Sequence, residues 1–157
     1  MSQLRSTQHA TFVIERAYLA PPARVFAAWA TADAKARWFS GPADRWTLKR
    51  RELDFRVGGR EWLVGSFSDG LLATFESRFQ DIVPNERIIY SYEMRLDDRR
   101  ISVSLATVVF EAVAAGTKLV VTEQGVFLDG HDTPASREAG TRALLENLDT
   151  ALLRDTE

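Results

Sequence analysis

Four side chains in this sequence could do chemistry in an apolar setting: Tyr90, Tyr92, Glu123 and His131. Ile88, Tyr90, Tyr92 and Met94 alternate along one run, so two phenol hydroxyls stand on one strand face. Each needs a hydrogen-bond partner if buried, or points into a wet cavity. Glu123 shares the phase of Leu119 and Val121. A carboxylate on an apolar face is costly unless it is paired or lines a polar cavity. A salt bridge to Arg16 or another arginine is the structural alternative; facing a pocket, Glu123 is a candidate acid or base. His131 lies in the loop Leu128-Asp129-Gly130-His131-Asp132. It can be drawn as a base oriented by Asp129 or Asp132, though such loop residues are usually solvated. Glu123, Tyr90 and His131 are therefore the catalytic candidates.

Other chemistries find no footing. The chain has no cysteine, which removes disulfides, thiolate metal sites and a Cys nucleophile. Two distant histidines, His9 and His131, offer no metal-ligand spacing, so no metal and no cofactor are expected. There is no Gly-x-Ser-x-Gly elbow, and Gly58-Gly59 is a hairpin signal rather than a phosphate loop. A formal charge of −2 over 157 residues gives no pull toward nucleic acid. Lys49, Arg50, Arg51, Arg56 and Arg60 alternate with Glu52, Asp54 and Glu61, the pattern of a solvated strand face. No secretory h-region and no membrane-spanning run is visible, so a cytoplasmic protein is expected.

The elements that must position these groups follow from periodicity. Residues 1–10 read as a polar tail and 11–157 as a single domain. A first strand over 11–19 runs into Ala20-Pro21-Pro22, and Pro22 suits the first position of a helix. Two short helices are expected at about 22–30 and 32–39, the second capped by Thr31 or Asp33. Val25, Phe26 and Trp29 gather on one side of the first. Strands follow over about 46–57, 60–67, 71–83, 87–96, 101–113 and 117–124, divided by polar turns. Thr133 and Pro134 then open a long helix to about residue 153, with Leu144, Leu145, Leu148, Ala151 and Leu152 as its apolar stripe. This order gives an α+β fold, a bent antiparallel sheet of six to seven strands curled around the C-terminal helix.

Such a grip leaves a space between sheet and helix. The aromatics Trp38, Phe39, Phe55, Trp62, Phe75, Tyr90, Tyr92, Phe110 and Phe127 are the candidates to line it. Each can equally be core filling, but an apolar wall with few polar groups is the usual makeup of a small-molecule site. Glu123, with Leu144 and Leu148 from the last helix, completes the candidate ligand-binding set.

Several motifs resemble the activator-of-Hsp90-ATPase-like branch of the START-like (SRPBCC) helix-grip superfamily. They are Ala20-Pro21-Pro22 with Val25-Phe26 and Trp29, Trp38-Phe39-Ser40-Gly41-Pro42, and the run from Asp54 to Trp62. Pro84-Asn85-Glu86-Arg87-Ile88-Ile89-Tyr90, Gly116-Thr117-Lys118-Leu119 and Glu123-Gln124-Gly125-Val126-Phe127 complete the series. The resemblance implies a helix-grip fold and places Trp38, Trp62 and Tyr90 near its cavity. One position departs: the family often has Gly-Trp early in the last helix, where this chain has Gly140-Thr141. The expectation is a protein that binds a small hydrophobic or aromatic molecule. An enzyme of the polyketide cyclase/aromatase or dehydratase type stands second, and a co-chaperone whose partner is an Hsp90 homologue third. Related domains form dimers, so the resemblance admits a homodimer, though no patch in the sequence argues for one.

Overall fold

The computed structural model describes residues 4–154. Seven strands and three helices follow in the order β1 (Thr7–Tyr18), α1 (Pro22–Ala30), α2 (Ala32–Ala36), β2 (Trp46–Leu53), β3 (Arg60–Phe67), β4 (Leu72–Val83), β5 (Arg87–Leu96), β6 (Arg99–Val113), β7 (Gly116–Leu128) and α3 (Pro134–Arg154). The sheet is antiparallel throughout, in the spatial order β1-β7-β6-β5-β4-β3-β2. The hairpins from β2 to β7 therefore form a meander, and β1 closes its far edge against β7. Register shifts between β2 and β3, β4 and β5, and β5 and β6 add the local bend that lets one sheet grip a helix.

The prolines start α1 as the sequence predicts. Pro22 occupies its first turn, and the Pro21 carbonyl accepts from the amides of Arg24 (3.0 Å) and Val25 (3.1 Å). Val25, Phe26 and Trp29 are the buried face of α1. Phe26 and Trp29 meet Phe110 of β6 edge-to-face, with centroids 5.3 and 6.2 Å apart. Thr31 caps α2 by accepting from the Ala34 amide at 3.1 Å, the expected side-chain cap. Far along α3, Leu145, Leu148, Ala151 and Leu152 are buried. There the Tyr18 hydroxyl donates to the Leu145 carbonyl at 2.8 Å, joining α3 to β1.

Several boundaries differ from the sequence reading, and the largest differences have specific hydrogen bonds behind them. β1 begins at Thr7, inside the expected tail, because β7 runs on to Leu128 and the two pair from Thr7↔Leu128 onward. Positions 1–3 of that tail lie outside the described residues. Helix α2 stops at Ala36, where amides 37 and 38 bond three residues back and tighten the chain into a turn. β2 ends at Leu53 instead of 57. There Asp54 bonds the Arg60 carbonyl at 2.9 Å and Gly59 bonds Arg56 at 2.8 Å, closing a compact loop. Gly58 holds φ +83° in that loop, a conformation that favours glycine.

Candidate functional site

A partly open cavity of about 760 Å³ lies between the inner face of the sheet and the first half of α3. That is within the size range of small-molecule sites. Phe75, Tyr90, Tyr92 and Met94 from β4 and β5 form its floor. Trp38 and Phe39 make one wall after α2, Trp46 and Leu63 another, and Gly140, Thr141 and Leu144 of α3 cover it. The rings brace each other: Phe39 meets Phe75 at 5.1 Å and Trp29 meets Trp38 at 4.6 Å between centroids. Trp46 owes its place to two glycines. A Cβ on Gly65 would come within 1.7 Å of its indole nitrogen, and one on Gly41 within 2.4 Å of Cγ.

One end of the cavity is polar. Glu123 is only 4% exposed, yet both its oxygens are bonded. Oε1 accepts from the Tyr92 hydroxyl, and Oε2 from the Thr141 hydroxyl at 2.8 Å. Arg137 donates to the Tyr92 oxygen at 3.1 Å, to Ser102 Oγ at 2.8 Å and to Asp132 Oδ2 at 3.0 Å. The chain Arg137 to Tyr92 to Glu123 is thus a relay of donors ending on a carboxylate. Burial, with Glu123 alongside, raises the Tyr92 phenol well above its ordinary pKa. Burial alone would lower Arg137, but Tyr92, Asp132 and Glu123 more than offset it, and the guanidinium is held charged. Tyr90 is raised for the same reasons, burial first and Glu123 next. Its hydroxyl makes no hydrogen bond to the described residues.

Behind the floor sits a second polar cluster. Lys35 of α2 and Glu61 of β3 are each 1% exposed and paired at 2.5 Å. The ammonium is ringed by Phe39, Trp29, Tyr90 and Phe79, with centroids 4.4 to 5.9 Å away, a cation–π surround. Burial lowers the Lys35 pKa in spite of the carboxylate. Arg51 donates to the Phe39 carbonyl at 2.7 Å and faces the same carboxylate. The mixed-charge strand is therefore not wholly solvated, since Glu61 shares the inward phase of Leu63. Glu61 Oε2, two Arg51 nitrogens and Ser77 Oγ are buried with no hydrogen-bond partner among the described residues.

The candidates from the sequence divide cleanly. Trp38, Phe39, Phe75, Tyr90, Tyr92, Glu123 and Leu144 line the cavity. Phe110 and Leu148 pack in the core instead, and Phe55, partly buried, packs against it. Phe127 is buried with the Arg137 guanidinium 5.2 Å from its ring. Trp62 is turned to the outer side of the sheet, where Arg50 lies 4.4 Å from its ring centroid. Its neighbours Glu61 and Leu63 take the inner phase, which corrects the placement that the resemblance implied. His131 lies in a separate surface depression with Leu71, Leu96 and Asp97. Asp129 is engaged by Arg5 and the Ser6 amide, and Asp132 by Arg137 and the Thr133 amide. Neither orients the imidazole. Arg16 pairs with Glu146 at 3.9 Å, not with Glu123.

Residues missed from the sequence include Trp29, Trp46, Arg137 and the bonding role of Thr141. Gly65 inside a strand was the available sign of Trp46, because such glycines often admit a close neighbour. Among the described residues, no helix is long and apolar enough to cross a membrane, and no group of three or more His, Asp or Glu gathers to hold a metal.

Solved structures resemble this fold closely. A protein from Rhizobium leguminosarum is 50% identical with a TM-score of 0.92, covering 96% of this chain and 99% of that one. A protein from Rhizobium loti is 42% identical with a TM-score of 0.85, covering 93% and 99%. An AHSA1-like protein from Aeromonas hydrophila, 23% identical with a TM-score of 0.69 and covering 94% of each chain, shares the fold. No curated protein matches the chain. Residues 19–153 match the family described as Activator of Hsp90 ATPase homolog 1-like protein. Helix-grip architecture and family match agree: the chain belongs to the activator-of-Hsp90-ATPase-1-like family of the START-like superfamily.

Proposed function

We infer that this protein binds a small, largely apolar molecule in the cavity between its sheet and α3. The observation that carries the reading is the cavity of about 760 Å³ walled by Trp29, Trp38, Phe39, Trp46, Phe75 and Tyr90. A filled core would leave no such space, since protein interiors pack to the density of organic crystals. Apolar burial supplies the affinity, on the order of 25 cal/mol per Å² removed from water. Tyr90 and Glu123 orient the polar end of the guest. A thermal-shift screen with steroids, flavonoids, lipids and polyketide-like aromatics tests this. The expected result is a dose-dependent rise in Tm with at least one class; no shift with any of them sinks the reading.

One feature favours an enzymatic alternative: the buried Glu123 carboxylate shares the cavity with the Tyr90 hydroxyl, which makes no hydrogen bond among the described residues. On that reading a bound polyketide-like substrate is turned over, and Glu123→Gln abolishes turnover. A variant that turns over at the wild-type rate removes Glu123 from any such role.

A further inference from the structure

We propose that the cavity selects an uncharged aromatic molecule bearing a hydroxyl group, and rejects the same ring system carrying a carboxylate. The proposal rests on the ligand-binding reading above and names its ligand class. Its ground is the charge inventory of the cavity. Arg137, the cation at the polar end, already directs bonds to Tyr92, Ser102 and Asp132, and the Asp132 carboxylate balances its charge at 3.0 Å. Among the described residues Glu123 forms no direct salt bridge; its hydrogen bonds come from two neutral hydroxyls. Lys35 is closed off behind the rings of Phe39 and Tyr90 and paired with Glu61. Arg51 faces Glu61 behind Phe39. Arg45 belongs to the exposed rim.

The polar end is therefore net negative: two carboxylates against one guanidinium. An anion brought there meets a like charge in a low-dielectric setting, where repulsion is strong. A neutral hydroxyl meets the opposite situation. Each carboxylate oxygen has a second lone pair, so Glu123 can accept from a guest hydroxyl. The Tyr90 hydroxyl can donate to the oxygen of that guest hydroxyl. Eight aromatic side chains line the cavity, among them Trp29, Trp38, Phe39 and Trp46, and they match a flat aromatic body through edge and offset contacts.

The test compares naphthalene, 2-naphthol and 2-naphthoate by calorimetry on the wild-type protein at neutral pH. The expected order is naphthol tightest, with naphthoate weaker by about tenfold or more. In Glu123→Gln, with folding verified by circular dichroism, the naphthoate deficit should shrink several-fold. Naphthoate binding as well as naphthol, for example with its carboxylate at Arg45 on the rim, overturns the charge selection and leaves the ligand-binding reading standing. Failure of all three probes to bind overturns both. The wild-type comparison stands without the variant.

Discussion

Tyr18, Tyr90 and Tyr92 are the only tyrosines in the chain, and all three are buried. Burial is the first cause of a raised pKa in each, so each phenol ionises later in the folded protein than in the unfolded chain. Below pH about 10 both states keep the proton, and the stabilisation is complete. Above it the unfolded chain alone loses protons, so stability falls as pH rises toward the folded values, by about 1.4 kcal/mol per pH unit for each tyrosine. An ultraviolet titration should show no tyrosinate in the native protein up to about pH 11, then a cooperative step coinciding with unfolding. Three independent titrations near the ordinary phenol value would refute this. The Lys35–Glu61 pair makes a second residue-scale prediction. Lys35→Met strands a buried carboxylate and should cost about 3–5 kcal/mol in urea unfolding, while Lys35→Met with Glu61→Leu should recover most of it. Equal losses in the single and double variants would show that the pair is not what matters. Glu123 and the tyrosines could be found in the sequence because strand alternation marks a polar group on an apolar face. Lys35 and Arg137 could not, because a short helix and a helix entrance carry charge without a periodic anomaly to betray burial.

The elements show why some boundaries were legible. Strands β3 and β5 were predicted with their observed limits, since Arg60–Phe67 and Arg87–Leu96 sit between strong turn signals. Helix α3 was marked by Thr133 and Pro134, and the Thr133 hydroxyl does accept from the Ser136 amide at 3.1 Å. What was not legible depends on partners distant in sequence. The first residues of β1 carry no strong pattern and are ordered by pairing with the end of β7. Trp62 reads as one more aromatic until the phase of β3 is fixed by the buried Glu61. Trp46 is the element-scale case with most consequence, because Gly41 from the loop and Gly65 from β3 both make room for one indole at the edge of the sheet. Gly65→Ala forces the ring or the strand to move. Overpacking of this kind costs about 1–3 kcal/mol, and the displaced indole should change its fluorescence maximum. An alanine variant with wild-type stability and an unmoved tryptophan spectrum would show that the cavity wall does not depend on this clamp.

At the scale of the molecule, one sheet, two short helices and the first turns of α3 enclose space that the rest of the fold does not need. Tyr18, Leu145, Leu148 and Leu152 close the other half of α3 onto the core, so the grip is tight at one end and hollow at the other. This division predicts how a guest should act on stability. A ligand that binds only the folded chain at a hundred times its Kd adds about 2.7 kcal/mol. For a chain of this length each kcal/mol moves Tm by roughly 2–4 °C, so a true ligand should raise Tm by roughly 5–11 °C. Position 141 separates occupancy of the hollow from any other cause of such a shift. Thr141→Val keeps the side-chain size but removes the hydroxyl that Glu123 accepts, so it should lower stability by about 1–3 kcal/mol and retain a ligand-induced rise. Thr141→Trp loses the same hydrogen bond but places an indole in the cavity, returning apolar burial. Its own Tm should lie at or above that of the valine variant, while the rise on adding ligand should be lost or cut by at least half. A tryptophan variant that keeps the full ligand-induced rise would put the guest somewhere other than between the sheet and α3.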